Sequence, residues 1–155
     1  MTPKRILVPT DFSEPSDAAF AYAKELAEAF DASIHLLTVV EDPLSQPWAL
    51  ESYGTSLADV LEDFKANARK HLEQALPDAD RMKYKAELVT AVGLPFTQIV
   101  KYATAHHVDL IVIGTHGRGG FAHAILGSVA ERVVRFAPCP VLTVRSAKEK
   151  SLAAA

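Results

Sequence analysis

The amino-acid sequence predicts an α/β domain with one open five-stranded parallel sheet, order 3-2-1-4-5, and helices on both faces. Three observations carry that expectation. Short apolar runs of strand length alternate with longer stretches of helical periodicity, the pattern of parallel strands joined by helical crossovers. The runs are continuously apolar, as strands covered on both faces are. A chain of 155 residues, 49% hydrophobic and 23% charged, also has the size and composition of one globular domain. Residues 1–145 are expected to form it, with 146–155 as a loose tail.

Arg5-Ile6-Leu7-Val8-Pro9 is the first strand, ended by its proline. Asp11-Phe12-Ser13-Glu14-Pro15 then gives a helix start, with Ser13 as the expected capping hydroxyl. Ala19, Tyr22, Ala23, Leu26 and Phe30 make one apolar stripe, so the helix should run to about Phe30 and lie on the sheet. Ile34 to Val40 reads as the second strand, and Glu41 to Ser56, with Pro43, Pro47 and Gly54, as the longest irregular stretch. Leu57 to Leu76 keeps helical spacing until Pro77. Lys83 to Ala91 reads as the third strand, followed by a helix opened by Gly93 and Pro95 and ending near His106 and His107. Asp109 to Ile113 is the fourth strand, a helix covers roughly Ser128 to Phe136, and Pro140 to Arg145 is the fifth strand.

A formal charge of −3 leaves no global basic field for nucleic acid or an anionic membrane. Apolar runs such as Ile111-Val112-Ile113 are far shorter than the roughly 20 residues of a membrane span, and Met1 to Arg5 leads into a strand rather than an apolar leader. A single cysteine, Cys139, cannot close an internal disulfide. A cytoplasmic location is the expectation.

In the predicted strand order the chain reverses direction between the first and fourth strands, and open α/β sheets bind ligands at the carboxyl ends beside such a switch. Five of the seven glycines, Gly114, Gly117, Gly119, Gly120 and Gly127, follow the fourth strand. Glycines let a ligand approach backbone N–H groups, and Gly127-Ser128 opens a helix whose N-terminus favours an anion. A mobile turn with Ser128 as an ordinary cap is the plainer alternative. No Gly-Lys-Ser/Thr triplet occurs, which excludes a Walker A loop, and Gly117-Arg118-Gly119-Gly120-Phe121-Ala122 follows the wrong strand for a dinucleotide fingerprint.

Gly114-x2-Gly117-x9-Gly127-Ser128 resembles the ATP-binding signature of the universal stress protein family. The resemblance extends to Val8-Pro9-Thr10-Asp11-Phe12-Ser13 and to Pro138-Cys139-Pro140-Val141-Leu142-Thr143-Val144, nearly the whole domain. It implies a Rossmann-like domain of the nucleotide alpha-hydrolase type that belongs to the ATP-binding branch. It further implies that the Thr10-Asp11 segment lies against the nucleotide, that Val39 and Val40 contact the adenine, and that the glycines and Ser128 hold the phosphates. On the residues alone, Asp11 either receives ribose hydroxyls or helps hold Mg²⁺, or caps the helix beside Ser13. Arg118 either neutralises phosphate or is an exposed loop arginine. Thr115 and His116 line the predicted site.

His116 and His123 lack a sequence-evident carboxylate to orient either as a base, and Cys139, between two prolines, reads as a buried inert thiol. Adjacent His106 and His107 diverge, so no zinc set is expected. The fifth strand carries little charge to protect an edge, and the resemblance implies a homodimer through 140–145. Two functional classes follow. One is an ATP-binding regulatory protein of the stress response, acting on an unidentified protein partner and turning ATP over slowly if at all. The other is an adenine-nucleotide enzyme, a slow ATPase or adenylyl transferase, for which Glu41 to Ser56, with Trp48 and Tyr53, is either an acceptor pocket or an apolar lid or partner surface; a module with an empty cleft is what the intact glycine pattern argues against.

Overall fold

The structure is a computed structural model and describes residues 2–42, 56–116 and 126–146. Five strands, β1 (Arg5–Pro9), β2 (Ser33–Val40), β3 (Glu87–Val92), β4 (Leu110–Gly114) and β5 (Val141–Val144), form one parallel sheet in the order β3-β2-β1-β4-β5. The helices of the described residues are α1 (Glu14–Phe30), α2 (Leu57–Ala75), α3 (Asp78–Lys83), α4 (Pro95–Ala105) and α5 (Ser128–Phe136). None of them is long and apolar enough to cross a membrane. The predicted strand order therefore stands, and β1 and β4 flank the switch point.

Alternation along the strands builds two apolar layers. Ile6, Val8, Ile34, Leu36 and Val112 meet Ala19, Phe20, Ala23 and Ala27 of α1 and Leu72 of α2 on one face. Leu7, Leu37, Ile111 and Ile113 meet Ile99 and Ala103 of α4 and Ala130 and Val133 of α5 on the other. Ala19, Ala23 and Ala27 recur every four residues, so α1 turns a stripe of small side chains to the sheet.

Two sequence expectations need correction. The third strand begins at Glu87 rather than Lys83, because the segment after Pro77 forms the short helix α3, with Asp78 and Asp80 in its first turn and Arg81 and Lys83 in its last. Lys85 then turns the chain in the left-handed region (φ +47°), and Tyr84, which reads as a strand residue, is a core side chain whose hydroxyl donates to Glu28 at 2.7 Å. Ser13 does occupy the N-cap position of α1 but makes no side-chain cap; its hydroxyl is engaged elsewhere.

The two sheet edges differ. Gly93 N–H donates to Val40 O, so odd-numbered residues of β3 face β2 and Leu88 turns outward. There the Arg69 guanidinium of α2 takes the Leu88 carbonyl at 2.8 Å. At β5, Pro140 O and Val144 O accept from Ile111 and Thr115, so the N–H and C=O of Val141 and Thr143 point away from the sheet. Among the described residues no strand lies beyond β5.

A polar cluster lies at the opposite end of the sheet from the switch point. His35 of β2 is 6% exposed, with Nδ1 2.8 Å from the Tyr102 hydroxyl of α4 and 3.7 Å from Glu87 Oε2 of β3. His106 stacks on Tyr102 at 3.9 Å between ring centroids, and Arg5 donates to the His106 carbonyl at 2.6 Å. Burial pushes the Tyr102 hydroxyl up to about 12, with Glu87 adding to the shift. Burial likewise holds His35 below its ordinary value of 6.5, against the opposing pull of Glu87. A histidine with a depressed folded pKa takes up its proton first in the unfolded chain, so this group's contribution to stability falls as pH drops below 6.5 and levels off below the folded pKa. Urea midpoints measured from pH 7.5 down to pH 5 are expected to fall less steeply for His35→Gln than for the parent chain; equal slopes would mean that His35 titrates alike in both states.

Candidate functional site

The switch point is built from three strand ends. At the end of β1, Thr10 N–H donates to Leu37 O of β2 at 2.8 Å, which ties the turn to the neighbouring strand. Thr10 is 9% exposed; its Oγ1 accepts the Phe12 N–H at 3.0 Å and lies 3.1 Å from Ser16 Oγ. Ser16 donates its proton to Ser13 O at 2.9 Å, so the Thr10 hydroxyl is the donor to Ser16. Phe12 adopts φ +61°, an uncommon conformation for a bulky residue, and this turn places its ring on the α1 layer and edge-on to His71 at 5.3 Å.

Asp11 sits half-buried at the crown of that turn. Its Oδ1 accepts from Ser13 N–H at 3.1 Å and from Ser13 Oγ at 2.5 Å. The Ser13 hydroxyl thus orients the carboxylate instead of capping α1. A carboxylate held in one orientation is suited to receive hydroxyl donors or to be one oxygen ligand of a hard cation.

Gly114 ends β4 against the first turn of α1. A Cβ there would lie 2.7 Å from the backbone carbon and oxygen of Pro15, closer than atoms tolerate, so only glycine lets the two elements meet. Thr115, 3% exposed, donates its N–H to Val144 O of β5 at 3.0 Å. Its own carbonyl accepts Gly127 N–H at 2.7 Å, which closes the neck of the glycine loop. The first backbone bond of α5 is Glu131 N–H to Gly127 O at 2.9 Å, so the N–H groups of Ser128, Val129 and Ala130 precede the helical ladder. With the aligned peptide dipoles they make the neck the electropositive end of α5.

At the third strand end, Val39 and Val40 are half-buried, Val39 against the α4 layer and Val40 with its carbonyl on Gly93 N–H. The structure therefore gathers Thr10, Asp11, Gly114, Thr115, His116, Gly127 and Ser128 along the β1 and β4 exits, with Val39 and Val40 at the adjacent β2 exit. Gly117, Arg118 and His123, like Trp48 and Tyr53, lie outside the described residues, as does 147–155. Cys139 is half-buried, and burial raises its thiol, so it has no thiolate character to offer. Among the described residues no three His, Cys, Asp or Glu side chains gather as a metal site. Sequence reasoning missed Pro15 and Ser16, and nothing local in the sequence signals that Thr115 bonds two partners so far apart in the chain.

A cleft of about 470 Å³ adjoins the neck, between α1 and β5, lined by Tyr22, Thr115, Leu126, Leu142, Thr143, Val144 and Arg145.

Comparison with known proteins locates this architecture. The sequence profile of the universal stress protein family matches residues 2–145. Universal stress protein MJ0531 of Methanocaldococcus jannaschii is 35% identical over 147 residues, covering 95% of this chain and 85% of that protein. The solved structure of universal stress protein UspA from Lactobacillus plantarum superposes with a TM-score of 0.80 at 30% identity, covering 94% of this chain and 99% of the other. A universal stress protein solved in complex with cAMP has a TM-score of 0.66 at 25% identity, covering 95% of this chain and all of the other (100%).

The steric reading of Gly114 is testable without any ligand. Gly114→Ala must displace the Pro15 backbone and is expected to cost about 1–3 kcal/mol in urea denaturation. Gly127→Ala meets its nearest atom at 3.2 Å and should cost less. Equal, small losses would contradict the close approach.

Proposed function

The chain belongs to the universal stress protein family, and we propose that it binds an adenine nucleotide, ATP with Mg²⁺, at the β1 and β4 exits as a nucleotide-dependent regulatory protein of the stress response. The observation that carries this reading is the closed neck: Gly127 N–H on Thr115 O holds the start of α5 at the mouth of a loop with the Gly114-x2-Gly117-x9-Gly127-Ser128 spacing. In this reading the phosphates lie on the N–H groups at the start of α5 with the Ser128 hydroxyl, and Gly117 and Arg118 complete their cradle. Asp11 takes the ribose hydroxyls or one Mg²⁺ position, and since Mg²⁺ keeps phosphate and water ligands, a single carboxylate suffices. Val39 and Val40 face the adenine, while Thr10, Thr115 and His116 shape the pocket wall. The family member solved with cAMP supports an adenine nucleotide as the ligand class.

Binding is expected to exceed chemistry. Fast phosphoryl transfer needs a positioned nucleophile and a cationic clamp, and the chain has no Walker lysine. The regulatory output then lies in how the nucleotide changes the surface offered to a protein partner. We place the pairing surface at residues 140–145, where the outward N–H and C=O groups of Val141 and Thr143 await a second copy of the chain about a two-fold axis.

Mg-ATP at 100 times its dissociation constant is expected to stabilise the folded chain by about 2.7 kcal/mol, read as a rise in melting temperature, with the shift reduced for Asp11→Asn. No shift at millimolar Mg-ATP would refute the reading. For the dimer, Thr143→Pro removes a donor that the β4–β5 ladder does not use, so light scattering should report a folded monomer; a folded dimer would move the interface elsewhere.

A further inference from the structure

The pairing edge and the loop neck share one residue. Thr115 N–H closes the last rung of the β4–β5 ladder on Val144 O at 3.0 Å, and its hydroxyl reaches the same carbonyl at 3.4 Å. The Thr115 carbonyl holds Gly127 N–H at 2.7 Å. Slack on the Gly127 side is small, since a Cβ there would stand 3.2 Å from Thr115 O and 3.4 Å from His116 Cα. Two backbone hydrogen bonds in series thus connect the end of β5 to the N-cap of α5.

On its α1 side this junction borders the 470 Å³ cleft, while Leu142 and Val144 pack against the α1 layer. Ladder bonds and side chains together hold the end of β5. A strand added along β5 would fix Thr143 and Arg145, and through them the Val144 carbonyl, before any ligand arrives. We propose that pairing of a second copy along β5 and anion occupancy at the neck are thermodynamically coupled through Thr115, each raising the affinity of the other; this rests on the nucleotide reading above. The physical basis is shared ordering: whichever partner binds first meets the cost of immobilising the β5–Thr115–Gly127 connection, and the second binds to a neck already ordered. Coupling of this kind is reciprocal and typically lies in the range of about 5- to 150-fold.

The test uses the full chain with Mg-ATP as the probe. Sedimentation velocity over a dilution series, with and without saturating Mg-ATP, is expected to show the dimer constant tightening about tenfold. Titration calorimetry should find Mg-ATP bound more weakly, by the same factor, to the Thr143→Pro monomer and to parent protein diluted below its dimer constant, the latter needing no substitution. Gly127→Ala, which presses on the Thr115 carbonyl, should lower the coupling factor, read within that variant as the ratio of its Mg-ATP affinities as dimer and as diluted monomer. Equal Mg-ATP affinity for monomer and dimer, with an unmoved dimer constant, overturns the coupling and leaves the nucleotide reading standing. An undiminished factor in Gly127→Ala overturns the route through Thr115. Absence of Mg-ATP binding at every protein concentration overturns both readings together.

Discussion

The carboxyl edge of this sheet depends on one close approach, that of Gly114 to the backbone of Pro15. A side chain at the end of β4 would hold α1 away and separate the β1 exit from the β4 exit. With no Cβ in the way, the first turn of α1 seats directly on the strand end, and the alanine stripe at Ala19, Ala23 and Ala27 continues the contact down the same face. The glycine is therefore a spacing device. Asp11 on one side and the Thr115–Gly127 neck on the other owe their adjacency to it.

Around that contact the polar groups of the β1 exit are satisfied internally. Thr10, Ser13 and Ser16 exchange hydrogen bonds in a short chain that ends on the Asp11 carboxylate, and the left-handed Phe12 pins the turn to the core from below. A turn knit in this way would not have to reorganise for the nucleotide and cation proposed above, which is the form preorganisation takes.

Much of this was legible in the sequence because it is periodic or compositional. Five apolar runs with helical stretches between them gave the parallel sheet and its order, and the clustering of glycines after β4 marked the switch point. What escaped has specific physical causes. Lys83 to Ala86 alternates like a strand, but acidic residues behind Pro77 and basic ones a turn later favour α3, and Tyr84 satisfies its hydroxyl on Glu28, 56 positions away. Ser13 has the right residue type for a cap, and only the geometry decides that it serves Asp11. His35 meets Tyr102 across 67 positions, a pairing that register and helix placement create and no local motif announces. Gly114 is legible as a glycine that matters; that its neighbour is Pro15 is legible only in three dimensions.

The unequal edges of the sheet set a limit on association. Arg69 occupies an outward carbonyl of β3, and a guanidinium there obstructs a strand that would add at that side. Among the described residues the β5 edge carries no such guard. In the pairing proposed above, growth by strand addition would have a single polarity and exhaust itself: two β5 edges that met would consume both templates, and the merged sheet would terminate at each end in a β3 edge whose Leu88 carbonyl is taken by Arg69. The same asymmetry that would permit the proposed pair opposes a fibre.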